Sequence, residues 1–105
     1  MNFQERFPPT DDIWMYSNPQ DAQKKAFDTY GKYAILFRSN AKNKKYYIIN
    51  PKGHKVNFGQ MGYEDFTKHK DVARRHNYLT RTAGMKGNWV NDGYSANNLS
   101  RNILW

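Results

Sequence analysis

The run VNFGQMGYEDFTKHKD, Val56 to Asp71, gathers the side chains of this 105-residue chain best suited to chemistry: Glu64, Asp65, Thr67, His69 and Asp71. Asp65, His69 and Asp71 together could hold a divalent cation against a phosphate, as a metal-dependent nuclease requires. A local reading competes with this one. Asp65 directly precedes FTKH and Asp71 directly precedes VARRHNYLTRTA. An aspartate in that position accepts backbone N–H bonds at a helix start. Gly59 and Gly62 sit where the strand period stops, and glycine there permits chain reversal. The spacing matches no metal-ligand motif, so capping and turning account for the run and no metal site is expected.

The remaining candidates for catalysis are weaker. His54 lies beside a turn glycine, where solvent is its expected partner. His76 shares a helical stripe with Val72, Leu79 and Ala83, which predicts a hydrogen-bonded core histidine. There is no Ser/His/Asp order, no glycine loop that would cradle a phosphate and no clustered carboxylate pair. The expectation is a protein that is not an enzyme and has no cofactor.

Binding has more to work with. Arg74, Tyr78 and Arg81 stand at i, i+4 and i+7 of one helix, two cations around a ring that could meet phosphates and stack on a base. Lys42, Lys44 and Lys45 cluster beside Tyr46 and Tyr47 at a hairpin. The formal charge is +8, distributed as −2 over residues 1–31, +7 over 32–55, −2 over 56–65 and +5 over 66–105. A cationic body with a mildly acidic head implies a polyanionic or acidic partner.

The elements that must position these groups follow from local signals. Residues 1–17 show neither helical nor strand period, and Pro8-Pro9 favours extended geometry. They read as an extended N-terminal arm with Phe3, Phe7, Ile13 and Trp14 as anchors, on a partner or on the protein's own sheet. Residues 18–105 then form one small domain. Asn18 is placed to cap a helix over about 19–30, with Pro19 at its first position and Gly31 at its end. Three strands follow at about 33–39, 45–50 and 54–59, the last two joined by Asn50-Pro51-Lys52-Gly53, the pattern of a type I turn with a left-handed glycine. Helices are expected at about 72–83 and 96–104, the second capped by Ser95. The fold class is α+β, a three-stranded antiparallel sheet with helices packed on it.

Aromatic residues are 16% of the chain and cysteine is absent, which suits a tyrosine-rich core or interface in a reducing compartment. No apolar run approaches the ~20 residues of a membrane span, and the polar start is unlike a signal peptide.

The strings KKYYIINPKGHKVNFGQMGYEDFTKHKD, ARRHNYLTR and SANNLSRNILW resemble a family of small basic proteins encoded by giant viruses and other nucleocytoplasmic large DNA viruses. The resemblance runs from Asp21 to Trp105 and implies a setting rather than an activity: a particle assembled in host cytoplasm. Two functions fit that setting. One is a structural component of the virion that docks on larger virion proteins, such as capsid protein, through Phe3, Phe7, Trp14, Tyr78, Trp105 and the basic surface. The other is a nucleic-acid-binding protein that handles or condenses the viral genome.

Overall fold

In a computed structural model, described here for residues 1–87 and 89–105, the chain is an α+β fold built on a three-stranded antiparallel sheet. The elements are α1 (Phe3–Arg6), a 3-10 turn (Asp12–Met15), α2 (Pro19–Tyr30), β1 (Phe37–Arg38), β2 (Lys44–Ile49) and β3 (Lys55–Gln60). After them come α3 (Phe66–His69), α4 (Val72–Ala83), a second 3-10 turn (Trp89–Asn91) and α5 (Ala96–Leu99), which runs on as a π turn (Ser100–Leu104). The sheet order is β1-β2-β3. No helix among the described residues is long and apolar enough to cross a membrane.

Most local signals act as the sequence predicts. Asn18 accepts N–H bonds from Gln20 and Asp21, and Pro19 opens α2. Asp65 caps α3, Asp71 caps α4 and Ser95 caps α5. Gly53 has φ +83°, and the Asn50 carboxamide accepts from the N–H groups of Lys52 and His54 to close the hairpin. The first strand is shorter than expected, two residues against seven, because a side chain takes its ladder partners. Buried Gln23 donates to the Ala34 carbonyl at 2.7 Å and accepts the Leu36 N–H at 2.9 Å.

Residues 1–17 are not an extended arm. Asn2 and Glu5 form a reciprocal capping box that starts α1, and Asp11 caps the 3-10 turn. Phe7 is 1% exposed and meets the Tyr46 ring edge-on at 5.6 Å, while Ile13 is fully buried. Phe3 packs on Phe7 and Trp14, and the Trp14 indole N–H donates to the Pro8 carbonyl. These four anchors serve the protein's own core, since a sheet this small needs them to cover one face.

Behind the sheet lies a buried polar chain. Lys45 is 2% exposed, and its three ammonium donors reach the Asp65 carboxylate at 3.0 Å and the carbonyls of Tyr63 (2.6 Å) and Tyr16 (3.2 Å). The other Asp65 oxygen accepts from the Thr67 N–H and hydroxyl. Thr67 accepts the Asn18 N–H and bonds Ser17, which in turn bonds the Tyr46 hydroxyl at 2.7 Å. Burial pushes the Lys45 ammonium down from its usual range, and Asp65 pulls it back up. Lys44 pairs with Gln60 and Tyr46 with Phe58, so Lys45 falls opposite Gly59. That glycine has φ +81°, and a Cβ there would stand 2.9 Å from Leu104 Cδ1 and 3.0 Å from Lys45 Cβ.

Two stability experiments follow. Asp65→Ala should lose about 3–5 kcal/mol in urea unfolding, because it leaves a buried ammonium without its counterion. Asp71→Ala, which removes only an exposed cap, should lose about 0.5–2 kcal/mol; equal losses at the two positions would mean that the ion pair does not govern this region. Gly53→Ala, with open space around it, should cost about 1 kcal/mol of left-handed strain. Gly59→Ala should cost at least about 2 kcal/mol, since overpacking adds to the same strain, and a loss no greater than that of Gly53→Ala would show the space opposite Lys45 to be adaptable.

Candidate binding groove

α4 is a twelve-residue helix in which Thr82 alone is fully buried. The stripe of Val72, His76, Leu79 and Ala83 does not form its inner face. Val72 is 70% exposed, His76 and Ala83 lie in solvent, and Leu79 is half-buried. The helix is instead held through rings and polar groups. Tyr78 stacks on Trp105 with ring centroids 4.2 Å apart and planes within 9°. Arg101 donates to the Leu79 carbonyl and the Thr82 hydroxyl, both at 2.6 Å, and Arg75 donates to the Trp105 carbonyl at 2.6 Å. The rotation relative to the expected stripe turns Tyr78 toward the body of the protein.

That rotation opens a groove of about 560 Å3 between α4, the Lys45 end of the sheet and residues 100–105. Arg74, Asn77, Tyr78 and Arg81 form its α4 wall, Trp105 and Leu104 a second wall, and Gln60, Tyr63 and Glu64 the side toward β3. Five residues singled out by their types therefore meet here: Lys45, Arg74, Tyr78, Arg81 and Trp105. Lys42 and Lys44 do not line the groove: Lys44 pairs across the ladder with Gln60, on the sheet face that alternates away from Lys45, and Lys42 lies in the loop whose Asn43 carbonyl accepts the Met61 N–H. Phe3, Phe7 and Trp14 belong to the core and take no part.

The groups in the groove differ in how free they are. Lys45 is not a partner-facing cation, because Asp65 and two carbonyls engage all its donors. The Tyr78 and Trp105 rings occupy each other's faces, with the Arg81 guanidinium 5.5 Å from the Tyr78 centroid and His69 5.1 Å from Trp105. Arg74 makes a 3.4 Å contact with Glu64, both half-exposed, a pair that contributes little. Arg81 has no ion pair among the described residues. Tyr63, 70% exposed, presents the groove's open ring. It lies inside the run first weighed for catalysis, and its signal there was only that an aromatic followed the turn glycine Gly62.

No group of three or more His, Cys, Asp or Glu side chains placed to hold a metal occurs among the described residues. Asp65, His69 and Asp71 face different tasks. The Asp71 N–H donates to His69 Nδ1 at 2.9 Å, which puts the ring's own proton on Nε2. That Nε2 is buried without a partner. Burial, then the Arg74 charge, push the His69 imidazole below its usual value, against Glu64, Asp65 and Asp71, which raise it.

The sign of the resulting pH dependence follows. An unfolded histidine titrates near 6.5, and the folded value lies lower. The unfolded chain therefore binds the proton first, so the contribution of His69 is full above about pH 6.5 and is lost as pH falls through the folded value. Urea midpoints should decline from pH 7.5 toward pH 5, and His69→Phe, which keeps a ring against Trp105 but cannot titrate, should flatten that decline. An unchanged slope in the variant would place the titration elsewhere.

A family of unknown function (DUF5754) matches residues 34–82, which takes in the sheet, the Asp65 turn, α3 and α4 as far as Thr82. No curated protein and no solved structure matches the chain. Over those residues the chain is similar to that family, whose matched segment supplies Arg74, Tyr78, Arg81 and Tyr63 but not Trp105.

Proposed function

We propose that the protein is a non-enzymatic nucleic-acid-binding protein that takes a single strand along the groove beside α4. The observation that carries this reading is the convergence of Arg74 and Arg81 with the open Tyr63 ring around one 560 Å3 groove. Guanidinium groups meet phosphates, an exposed ring stacks on any base, and neither requires a particular sequence. The surplus of base over acid, +8 for the chain, favours association with a polyanion. On the resemblance to proteins of large DNA viruses, the strand belongs to a viral genome handled in host cytoplasm.

A second reading, a structural component of the virion docking on larger particle proteins, draws on rings and aliphatic groups left in solvent. Tyr33 is 85% exposed, Val72 70% and Val90 65%. It loses the support it drew from the N-terminal anchors, which the core occupies.

Fluorescence anisotropy with a labelled oligothymidylate separates the two. Binding should weaken steeply with salt, and Arg74→Gln with Arg81→Gln should reduce the slope of log K against log salt by about 0.7 for each phosphate contact removed. Tyr63→Ala should weaken binding by about 1–3 kcal/mol, the range for loss of one stacked base. Absence of salt-dependent binding by the wild-type protein would overturn the nucleic-acid reading and favour the virion component.

A further inference from the structure

We propose that the junction of α2, α3 and α4 is a phosphate-binding site, an open hollow of about 250 Å3 lined by Lys25, Lys70 and Phe66 with Arg75 beside it. This site is distinct from the groove and does not rest on the reading of the groove as a nucleic-acid site. Its cations are unequally matched by acids. Lys24 pairs with Asp28 at 2.9 Å, and Lys70 pairs with Asp21. Lys25, half-buried, has no hydrogen bond or ion pair among the described residues. The Arg75 guanidinium lies 5.6 Å and the Lys70 ammonium 5.9 Å from the centroid of the same Phe66 ring.

The surroundings of Lys25 are cationic. Burial, then Arg75 and Lys70, push its ammonium below the usual lysine range, while Asp65 and Asp21 only partly oppose them. An ordinary surface lysine would turn away from two like charges into water. Here Lys25 lines the hollow within reach of both charges. Lys70 adds a backbone signal, because it holds φ +57° at the end of α3. That left-handed position favours glycine or asparagine, and a lysine there directs a cation over Phe66.

Phosphate fits this arrangement by charge and by shape. A dianion neutralises Lys25 and Arg75 together, and its oxygens accept from the Lys25 ammonium and from the guanidinium N–H groups that Arg75 does not give to the Trp105 carbonyl. A cavity of 250 Å3 has room for the group and its first substituent. Asp21 lines the same hollow and pairs with Lys70, which leaves Lys25 and Arg75 as the cations without an acidic partner.

The test is an NMR titration of the whole protein with inorganic phosphate, against sodium chloride at matched ionic strength. Saturable shifts are expected at the amides of residues 24–25 and 66–70, and the Lys25 side-chain pKa should rise as phosphate fills the site. Lys25→Gln should weaken phosphate by about tenfold or more, the loss of one charge-assisted bond, whereas Lys25→Arg should retain it. A parallel titration with an oligothymidylate lacking terminal phosphate identifies the source. Saturation of the site by inorganic phosphate assigns a free or terminal group, and saturation by the oligomer alone assigns a backbone diester. Shifts that follow sodium chloride in both arms, or a wild-type Lys25 titrating at the ordinary lysine value of about 10.4 and unmoved by phosphate, would overturn the site whether or not the groove binds nucleic acid.

Discussion

The buried pairing of Lys45 with Asp65 is the constraint around which the rest of the fold is arranged. Removing two charges from water costs several kcal/mol per ion, and the attraction between them offsets this only if every remaining donor and acceptor is met. Here they are met by groups from three separate parts of the chain: the Tyr16 carbonyl before α2, the Tyr63 carbonyl after β3, and Thr67 within α3. Each of those segments can occupy only one position if the ion pair is to form. The Asp65 N–H donating to the Tyr16 carbonyl closes the arrangement. Apolar groups of similar volume could fill this space with equal or greater stability, but they would not impose one register on three segments. The pair therefore acts more on specificity than on net stability.

Gly59 and Leu104 follow from that constraint. The lysine stem fills the space opposite Gly59, so the strand has no room for a side chain there, and Leu104 packs into the remaining gap. The π turn at Ser100–Leu104 widens the helical coil where this happens, with the Trp105 N–H donating to the Ser100 carbonyl five residues back. Buried Leu104 is thereby held at the sheet while Trp105 reaches Tyr78. α4 is propped at a distance from the sheet by this stack, and the groove is the space left between them. A helix held by one ring stack and a few guanidinium bonds buries little apolar area, so its local opening should require less free energy than opening of the sheet.

The legible parts of the sequence were those whose cause is local. The Asn18-Pro19 start, the Gly53 turn and the aspartate caps each depend on three or four adjacent residues, and each forms where the pattern puts it. The N-terminal segment is not legible in the same way, because a helix of four residues is too short to show a period and Pro8-Pro9 favours extended geometry. Lys45 read as a surface cation because nothing near it in sequence reveals an acid twenty residues away. α4 was found to the residue but not its orientation. Val72, Leu79 and Ala83 are a thin stripe, and Tyr78 against Trp105 with Arg101 beneath proved the stronger attachment, a contact between segments that no helical pattern encodes. The groove was half visible for the same reason: Arg74, Tyr78 and Arg81 belong to one pattern, while Tyr63 and Trp105 arrive by tertiary packing.

The division between engaged and free charges bears on what the surface can recognise. Asp11, Asp21, Asp28, Glu64 and Asp65 all pair with bases, and Asp71 caps a helix, so most of the acidic side chains already have partners within the molecule. The bases they leave fall into distinct groups. Lys42 and Lys44 belong to the first hairpin, Arg81 is within the groove, and Lys25 lies with Arg75 at the α2–α4 junction. Lys32 and Lys55 rest on tyrosine rings, at 5.3 Å and 4.3 Å from Tyr33 and Tyr47, where a cation–π contact holds the stem but leaves the ammonium able to meet an anion. Arg81 in the groove and Lys25 with Arg75 at the junction stand at two separate concave surfaces, so a partner with regularly spaced negative charge could meet cations in both, while a compact acidic protein would have to match two separated hollows.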